Sequence, residues 1–401
     1  MTTTAGGARA PESIYLDHAA AAPLIPEVAA AMAEAREAAF ANPSSPHAAG
    51  RRARKILEDA RERILALVGP DLGPGAGLVF TSGATEANRL GILGQAREPR
   101  GRVLFSARDH SSSRAAVAER AAQGWESAGV PLRSDGTLAL ARGDADGFPD
   151  GDLLSATLVC GQSGACEDVA ALADWISARP GRRVHLDATQ ALLVGGSGPG
   201  VFGLPPAAAT TLVLAPHKFG GPRGIGGLVV RRGIALAAAG EASQEAGLRG
   251  GTEAVELAVG FAAALERAIT DRAAVARRVT ALRDRLETGL VAAAAAAGIA
   301  AHVVAATGHR SPHITTVVFP GLDRQAIVMA ADLEGVACAT GTACASGSSE
   351  PAAALVAMGL PAAWVAGAVR FSLGRSTTAD DVDAAAERMG RVLVRMASRP
   401  T

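Results

Sequence analysis

The chain has 401 residues, with 39 basic and 39 acidic side chains and no formal net charge. That balance gives no reason to expect nucleic acid or an anionic membrane as a partner, so a small polar metabolite fits better. Aromatics are only 3% of a chain rich in alanine and glycine, and no uninterrupted apolar run reaches the roughly 18 to 20 residues a membrane helix needs. The length allows two domains around an extensive core.

The start, MTTTAGGARAPES, lacks the apolar core of a secretory signal and reads as a short tail over residues 1–14, which points to the cytoplasm. In that compartment Cys160, Cys166, Cys338 and Cys344, which include no CxxC pair, are not expected to form disulfides. At least one thiol is then open to reaction.

Residues 52–67, RARKILEDARERILAL, place Ile56, Ala60, Ile64 and Leu67 on one helical face, with arginines and acids interleaved on the other. Short apolar runs follow, each leading through glycine or polar residues into a helix-like segment: GLVFTSGATEA, RVLFSARDH, LLSATLVCGQSG, RRVHLDATQ, TLVLAPHK and IGGLVVRRG. Strands alternating with helices at this spacing predict a mostly parallel sheet covered on both faces, with functional groups at the strand ends. From Glu253 to Ala297 a single helical pattern runs too far for one ordinary helix without a bend, and reads as a link between domains. Beyond it, HITTVVF and GVACAT read as strands and ADDVDAAAERMGRVLVRM as a closing helix, which makes an α+β unit. The division expected is a large domain over residues 15–255 and a smaller C-terminal one over 256–401.

Four groups at strand ends carry chemistry. Lys218, closing TLVLAPHK, is an amine at the end of an apolar run, where partial desolvation favours the nucleophilic neutral form that Schiff-base chemistry needs. The glycines after it let backbone amides approach an anion closely. In HLDATQ, Asp187 can hold a proton on a pyridine nitrogen and Gln190 can reach a neighbouring oxygen. In TSGATEA, Ser82, Gly83, Ala84 and Thr85 open a helix whose amides suit a phosphate. His110, in RDHSSS, can stack on a flat heterocycle. Each alone reads more simply as a surface lysine, a helix cap, an ordinary turn or a surface histidine. Together they are the inventory of a pyridoxal 5'-phosphate (PLP) site.

At this level the sequence resembles the class V aminotransferase-like enzymes of PLP fold type I, and within them the NifS/IscS group of cysteine desulfurases. The resemblance rests on YLDHAAAAPL, NPSSPHAAGRRAR, FTSGATEAN, HLDATQ, HKFGGPRGIGG, RGGT, GTACASGSSEP and RFSLGRSTT, in that order along nearly the whole chain. It implies an α/β fold with a mostly parallel seven-stranded sheet and a smaller α+β C-terminal domain. It also implies roles. Lys218 would form the Schiff base with PLP, Asp187 would pair with the pyridine nitrogen, Gln190 would contact the ring hydroxyl, and His110 would stack on the ring and shuttle protons. Ala84, Thr85 and His217 would hold the phosphate, with Thr252 reaching the cofactor of a partner subunit. Arg370 would clamp the substrate carboxylate with Asn42 assisting. Cys344, among the glycines and alanines of GTACASG, would take sulfur from L-cysteine as a thiolate and pass it to an acceptor protein. Cys338, Cys160 and Cys166 read as structural. A cytoplasmic homodimer is implied, with no metal and no direct contact to nucleic acid or membrane.

The chain departs from the family at three places. Cys160, Gly161 and Gln162 stand where relatives carry an amide pair, Ala215 where they carry a serine, and Gly250 where serine is common. Each lost hydrogen bond to a charged group costs about 1.5 to 3 kcal/mol if uncompensated. Two other readings therefore stand beside the first: a PLP enzyme that cleaves or transaminates another amino acid with Cys344 idle, and a cofactor-poor scaffold of a sulfur-relay complex.

Overall fold

The computed structural model describes residues 13–95, 101–140, 153–179, 181–194, 201–204, 208–238, 243–341 and 350–398. A two-residue strand, β1 (Ile14–Tyr15), precedes α1 (Pro26–Ala38) and α2 (Ala48–Val68). Ala53, Leu57, Ala60, Ile64 and Val68 form the buried stripe of α2, at steps of four and three. Ile56 and Leu67, expected on that face, are only partly buried at its margins. The true stripe is centred one residue along from the one the sequence suggested.

The central sheet is built from β2 (Gly77–Thr81), β3 (Arg102–Phe105), β4 (Glu126–Gly129), β5 (Leu153–Thr157), β6 (Arg183–Asp187), β7 (Thr211–Leu214) and β8 (Gly226–Val230). Its order is β2-β8-β7-β6-β5-β3-β4, and only β8 runs against the other six. The expected mostly parallel seven-stranded sheet is therefore present. β5 and β7 are buried along their whole length, as parallel strands between helical layers must be. β4, ESAG, is an exposed edge strand with no apolar alternation, which is why it left no signal in the sequence.

Helices α3 (Ala84–Gln95), α4 (Ser111–Ala122) and α5 (Val169–Ser177) follow β2, β3 and β5. Gly91 lets α3 settle on the sheet, since a Cβ there would come within 2.4 Å of the His185 ring. The long helical pattern after residue 253 is two helices, α6 (Val255–Thr270) and α7 (Arg272–Ala296), and Asp271 breaks the ladder between them with φ −95° and ψ 0°. Phe261 and Leu265 of α6 share the core of the central sheet, whereas Val279, Leu286 and Leu290 of α7 share a second core.

That second core is closed by β9 (His302–Val303), β10 (Ile314–Val318), α8 (Arg324–Leu333), β11 (Val336–Ala337), β12 (Ala368–Ser372) and α11 (Ala379–Ala397), while α9 (Ala353–Ala357) and α10 (Ala362–Ala366) bury Leu355 and Val365 in a smaller cluster with Val304 and Val318. β10 pairs antiparallel with β9 and β12. β1 pairs with β11, and Ile14 and Leu16 are buried in this core. Among the described residues no helix is long and apolar enough to cross a membrane.

Candidate active site

Because β2, β3, β5, β6 and β7 run the same way, their C-terminal ends open on one edge of the sheet. A cavity of about 460 Å³ lies there. Ala84 and Thr85 reach it from the end of β2, His110 from the end of β3, Asp187 and Gln190 from β6, and His217 and Lys218 from β7. Arg370 faces them from β12 of the second unit. Eight of the ten described residues that the sequence named as catalytic or binding thus line one cavity.

The anion-binding end is the start of α3. The first turn of a helix leaves its amides without intrahelical partners, and the dipole adds partial positive charge there. Glu86 satisfies the Ser82 amide at 2.5 Å, which leaves the turn at Gly83 to Thr85 facing the cavity. Gly226 permits this turn to lie against β8, because a Cβ there would sit 2.6 Å from the Gly83 carbonyl carbon. Burial, and then the charges of Lys218 and Arg223, push His217 down to about 4, so it is neutral at working pH.

Asp187 is 2% exposed and heavily bonded. Its Oδ1 accepts from the Thr189 amide (3.0 Å) and hydroxyl (2.5 Å), and its Oδ2 accepts from Asn88 Nδ2 at 3.0 Å. A carboxylate so supplied with donors is held in one orientation. Lys218 Nζ donates to the carbonyls of Ala19 (2.8 Å) and Ala20 (3.0 Å). Gln190 Nε2 donates to the same Ala19 carbonyl at 2.8 Å. The segment after β1 therefore forms the floor on which the amine and the amide rest. His110 both caps α4 and lines the cavity, its Nδ1 accepting from the Ser112 amide at 3.2 Å and bonded to the Ser112 hydroxyl at 2.7 Å.

The loop carrying His110 is anchored by a buried ion pair, Arg108 Nη1 to Glu167 Oε2 at 2.6 Å, with the same guanidinium donating to the carbonyls of Gly136 and Ala165. Next to it Asp109 accepts from the Ser106 amide and the Thr157 hydroxyl. Burial pushes its carboxyl up to about 7.

The opposite wall is less completely paired. Arg370 Nη2 donates to Asp17 Oδ1 at 2.7 Å and Nη1 to the Gly161 carbonyl at 3.0 Å, while its buried Nε has no partner among the described residues. A planar fork with an unused buried donor suits a carboxylate ligand. Gln162 does not simply stand in for an absent asparagine. Its Oε1 accepts from the Ala354 amide at 2.9 Å, which ties it to the start of α9. Ala215 is wholly buried and offers no hydroxyl.

Asn42 and Thr252 do not line the cavity. Asn42 is exposed and accepts from the Ser44 amide at 2.8 Å, an Asx turn. Thr252 is also exposed. Cys344 lies outside the described residues, but Gly341 and Glu350 on either side of that segment both line the cavity. Cys160 and Cys166 are buried, and burial pushes Cys166 and Cys338 up to about 12, so both are neutral thiols at working pH.

The donor set fits PLP: a phosphate turn, a carboxylate suited to a ring nitrogen and an amine within one cavity, with the buried Arg370 Nε unpartnered among the described residues. The family model for class-V aminotransferases matches residues 14–385. The chain belongs to the class-V aminotransferases. Within this family it is similar to cysteine desulfurase IscS 1 of Archaeoglobus fulgidus, 31% identical over 96% of this chain and 98% of the relative. It is also 34% identical to a cysteine desulfurase of Cereibacter sphaeroides over 93% of each chain. A NifS-like protein of known structure shares the fold with a TM-score of 0.82, at 24% identity over 95% of this chain and 99% of that one. Asn88, His185 and Asp17 lie within the quoted motifs and Ser112 just after His110, yet sequence reasoning assigned none of them a role; they hold the expected residues in place. The available signal was polar Asn88 and Gln95 on the buried stripe of α3.

Proposed function

We propose that this class-V aminotransferase is a PLP-dependent cysteine desulfurase. L-cysteine and the Cys344 thiol give L-alanine and a Cys344 persulfide: the substrate Cβ–S bond breaks, an S–S bond forms, and the substrate Cβ takes a proton to become a methyl group. The observation that carries the reading is the convergence of Asp187, Lys218, His110 and the α3 turn on one cavity faced by Arg370. The full-length likeness to cysteine desulfurases at 31–34% identity supports the substrate.

When bound, PLP supplies the electron sink that loosens bonds at the substrate Cα and Cβ. The chain supplies placement. Lys218 would carry the cofactor covalently, and Asp187 would keep the ring nitrogen protonated. Gln190 would donate to the ring hydroxyl, while Thr85, the Ala84 amide and His217 would hold the phosphate. Arg370 would bind the substrate carboxylate through its planar fork, with Asn42 assisting. His110 would stack on the ring and move the proton. Cys344 would act as the thiolate, the reactive form of the group; buried Cys160 and Cys166 and half-buried Cys338 are poorly suited to that task. A homodimer in the cytoplasm, with Thr252 reaching the partner's phosphate and an acceptor protein receiving the sulfur, completes the proposal.

The test is stoichiometric. Protein reconstituted with PLP and given L-cysteine should form alanine and a persulfide, and Cys344→Ser should abolish both while leaving cofactor binding intact. Alanine release that survives this substitution would assign the site to a lyase that does not use Cys344, and a keto acid in place of alanine would assign it to an aminotransferase.

A further inference from the structure

Asn88, Gly91 and Gln95 recur along the face of α3 that packs on the central sheet, and Asn88 and Gln95 are fully buried. Gln95 Nε2 donates to the Gly91 carbonyl and to Thr211 Oγ1, each at 2.8 Å, and the carbonyl fixes which end of the amide is nitrogen. The Thr211 hydroxyl, having accepted, sends its own hydrogen to His185 Nδ1 at 2.9 Å. His185 is fully buried, and burial pushes it down to about 4, so the ring is neutral. With Nδ1 accepting, its proton sits on Nε2 and is donated to Asn88 Oδ1 at 3.0 Å.

Both hydrogens of Asn88 Nδ2 are then committed: one to Asp187 Oδ2 at 3.0 Å, the other to Ser112 Oγ at 2.9 Å. The reverse orientation of the amide would set its oxygen against a carboxylate. Ser112, having accepted, directs its hydroxyl hydrogen to His110 Nδ1 at 2.7 Å, where the Ser112 amide also donates. The hydrogen bonds that link Gln95 to His110 thereby run in one consistent direction.

We propose that Asn88 is a positioning residue that binds Asp187 and, through Ser112, locks neutral His110 as the Nε2–H tautomer, confining proton exchange at His110 to Nε2. One buried amide thus serves the cofactor-nitrogen carboxylate and the proton-moving ring at once. The catalytic consequence rests on the function proposed above; the tautomer follows from the side chains alone.

The experiment is a long-range proton–nitrogen correlation spectrum of the full-length protein labelled with ¹⁵N-histidine, at neutral pH, with and without PLP. His110 is assigned through His110→Gln. The wild-type ring should appear as Nε2–H. In Asn88→Asp, which accepts from Ser112 instead of donating to it, the Nδ1–H form should become populated. Ser112→Ala, which removes the hydroxyl link, leaves Nδ1 only the longer 3.2 Å amide donor and leaves Asp187 its Asn88 bond, should also populate the Nδ1–H form in part while keeping the wild-type cofactor absorption spectrum; it decides the matter if Asn88→Asp does not fold. In turnover, Asn88→Asp should lower kcat by up to about 10²-fold, the lower range of a positioned acid–base group, with KM for L-cysteine little changed. A wild-type His110 protonated at Nδ1, or a tautomer unmoved by both variants, would overturn the proposal. Failure of the wild-type protein to bind PLP would sink the proposed function and leave the tautomer result to stand or fall separately.

Discussion

The two walls of the cavity are built on different terms. On the sheet side Asp187 is satisfied by Thr189 and Asn88, and His110 by Ser112, all on elements locked into the central core. On the far side Arg370 spans to Asp17 and to a main-chain carbonyl, keeps one buried nitrogen unpaired, and faces Gly161, where a Cβ would meet only Gln190 Nε2, at 4.0 Å. Fully paired groups are held in one geometry at no cost when a ligand arrives; an unpaired buried donor is a penalty that a ligand relieves. The first wall suits a resident cofactor and the second a substrate that comes and goes.

The comparison breaks most completely at the amine. Lys218→Ala should abolish turnover and cofactor attachment, read as loss of alanine formation and of the absorption band of the Schiff base. Asp187→Asn, on the paired wall, keeps the shape but removes the charge. It should lower kcat by about 10²- to 10³-fold, the range for removing one electrostatic stabiliser, in steady-state assays with saturating L-cysteine. Arg370→Lys, on the open wall, replaces a planar fork by a point charge. A lost charge-assisted hydrogen bond of about 1.5 to 3 kcal/mol should raise KM for L-cysteine by roughly ten- to a hundredfold, with a smaller effect on kcat.

A pH series sharpens the contrast without mutation. Burial above all pushes His18, His185 and His217 down to about 4 and His313 down to about 3. In the unfolded chain they protonate near 6.5, so between about pH 6.5 and 4 the unfolded state binds more protons. Their stabilisation is therefore present above pH 6.5 and lost as the pH falls toward 4. Asp109, raised to about 7, acts in the opposite sense over pH 4 to 7. Asp71 and Glu167, also raised by burial, act with Asp109, but the four histidines outweigh these three carboxyls, and urea midpoints should climb from pH 4.5 to 6.5. The smallest effect is expected from Gly161→Asn. The side chain enters open space beside Gln190 and would donate to the ring hydroxyl that Gln190 is proposed to contact, so PLP affinity by titration should rise by about tenfold if one bond of about 1.5 kcal/mol forms.

The strand ends were legible because each pairs a short apolar run with a chemically distinctive residue, as in HLDATQ and APHK. The supports were not. Asn88 reads as one polar residue in a helix until His185, nearly a hundred positions away, comes into register beneath it. β4 and β9 were silent for a related reason: one is polar and exposed, and the other is two residues long. The break at Asp271 was visible only as a pattern too long to be straight, whereas its position depends on Arg375, whose guanidinium holds the Asp271 carboxylate from the far end of the chain.

The sequence contains only two lysines, and Lys55 lies on the exposed face of α2, paired with Asp59. Borohydride reduction of the PLP-loaded protein followed by peptide mass mapping therefore has a simple readout. A phosphopyridoxyl group on Lys218, absent from Lys55, is the predicted result. An adduct on Lys55 instead, or none on Lys218 despite bound PLP, would contradict the placement of the amine at the centre of this site.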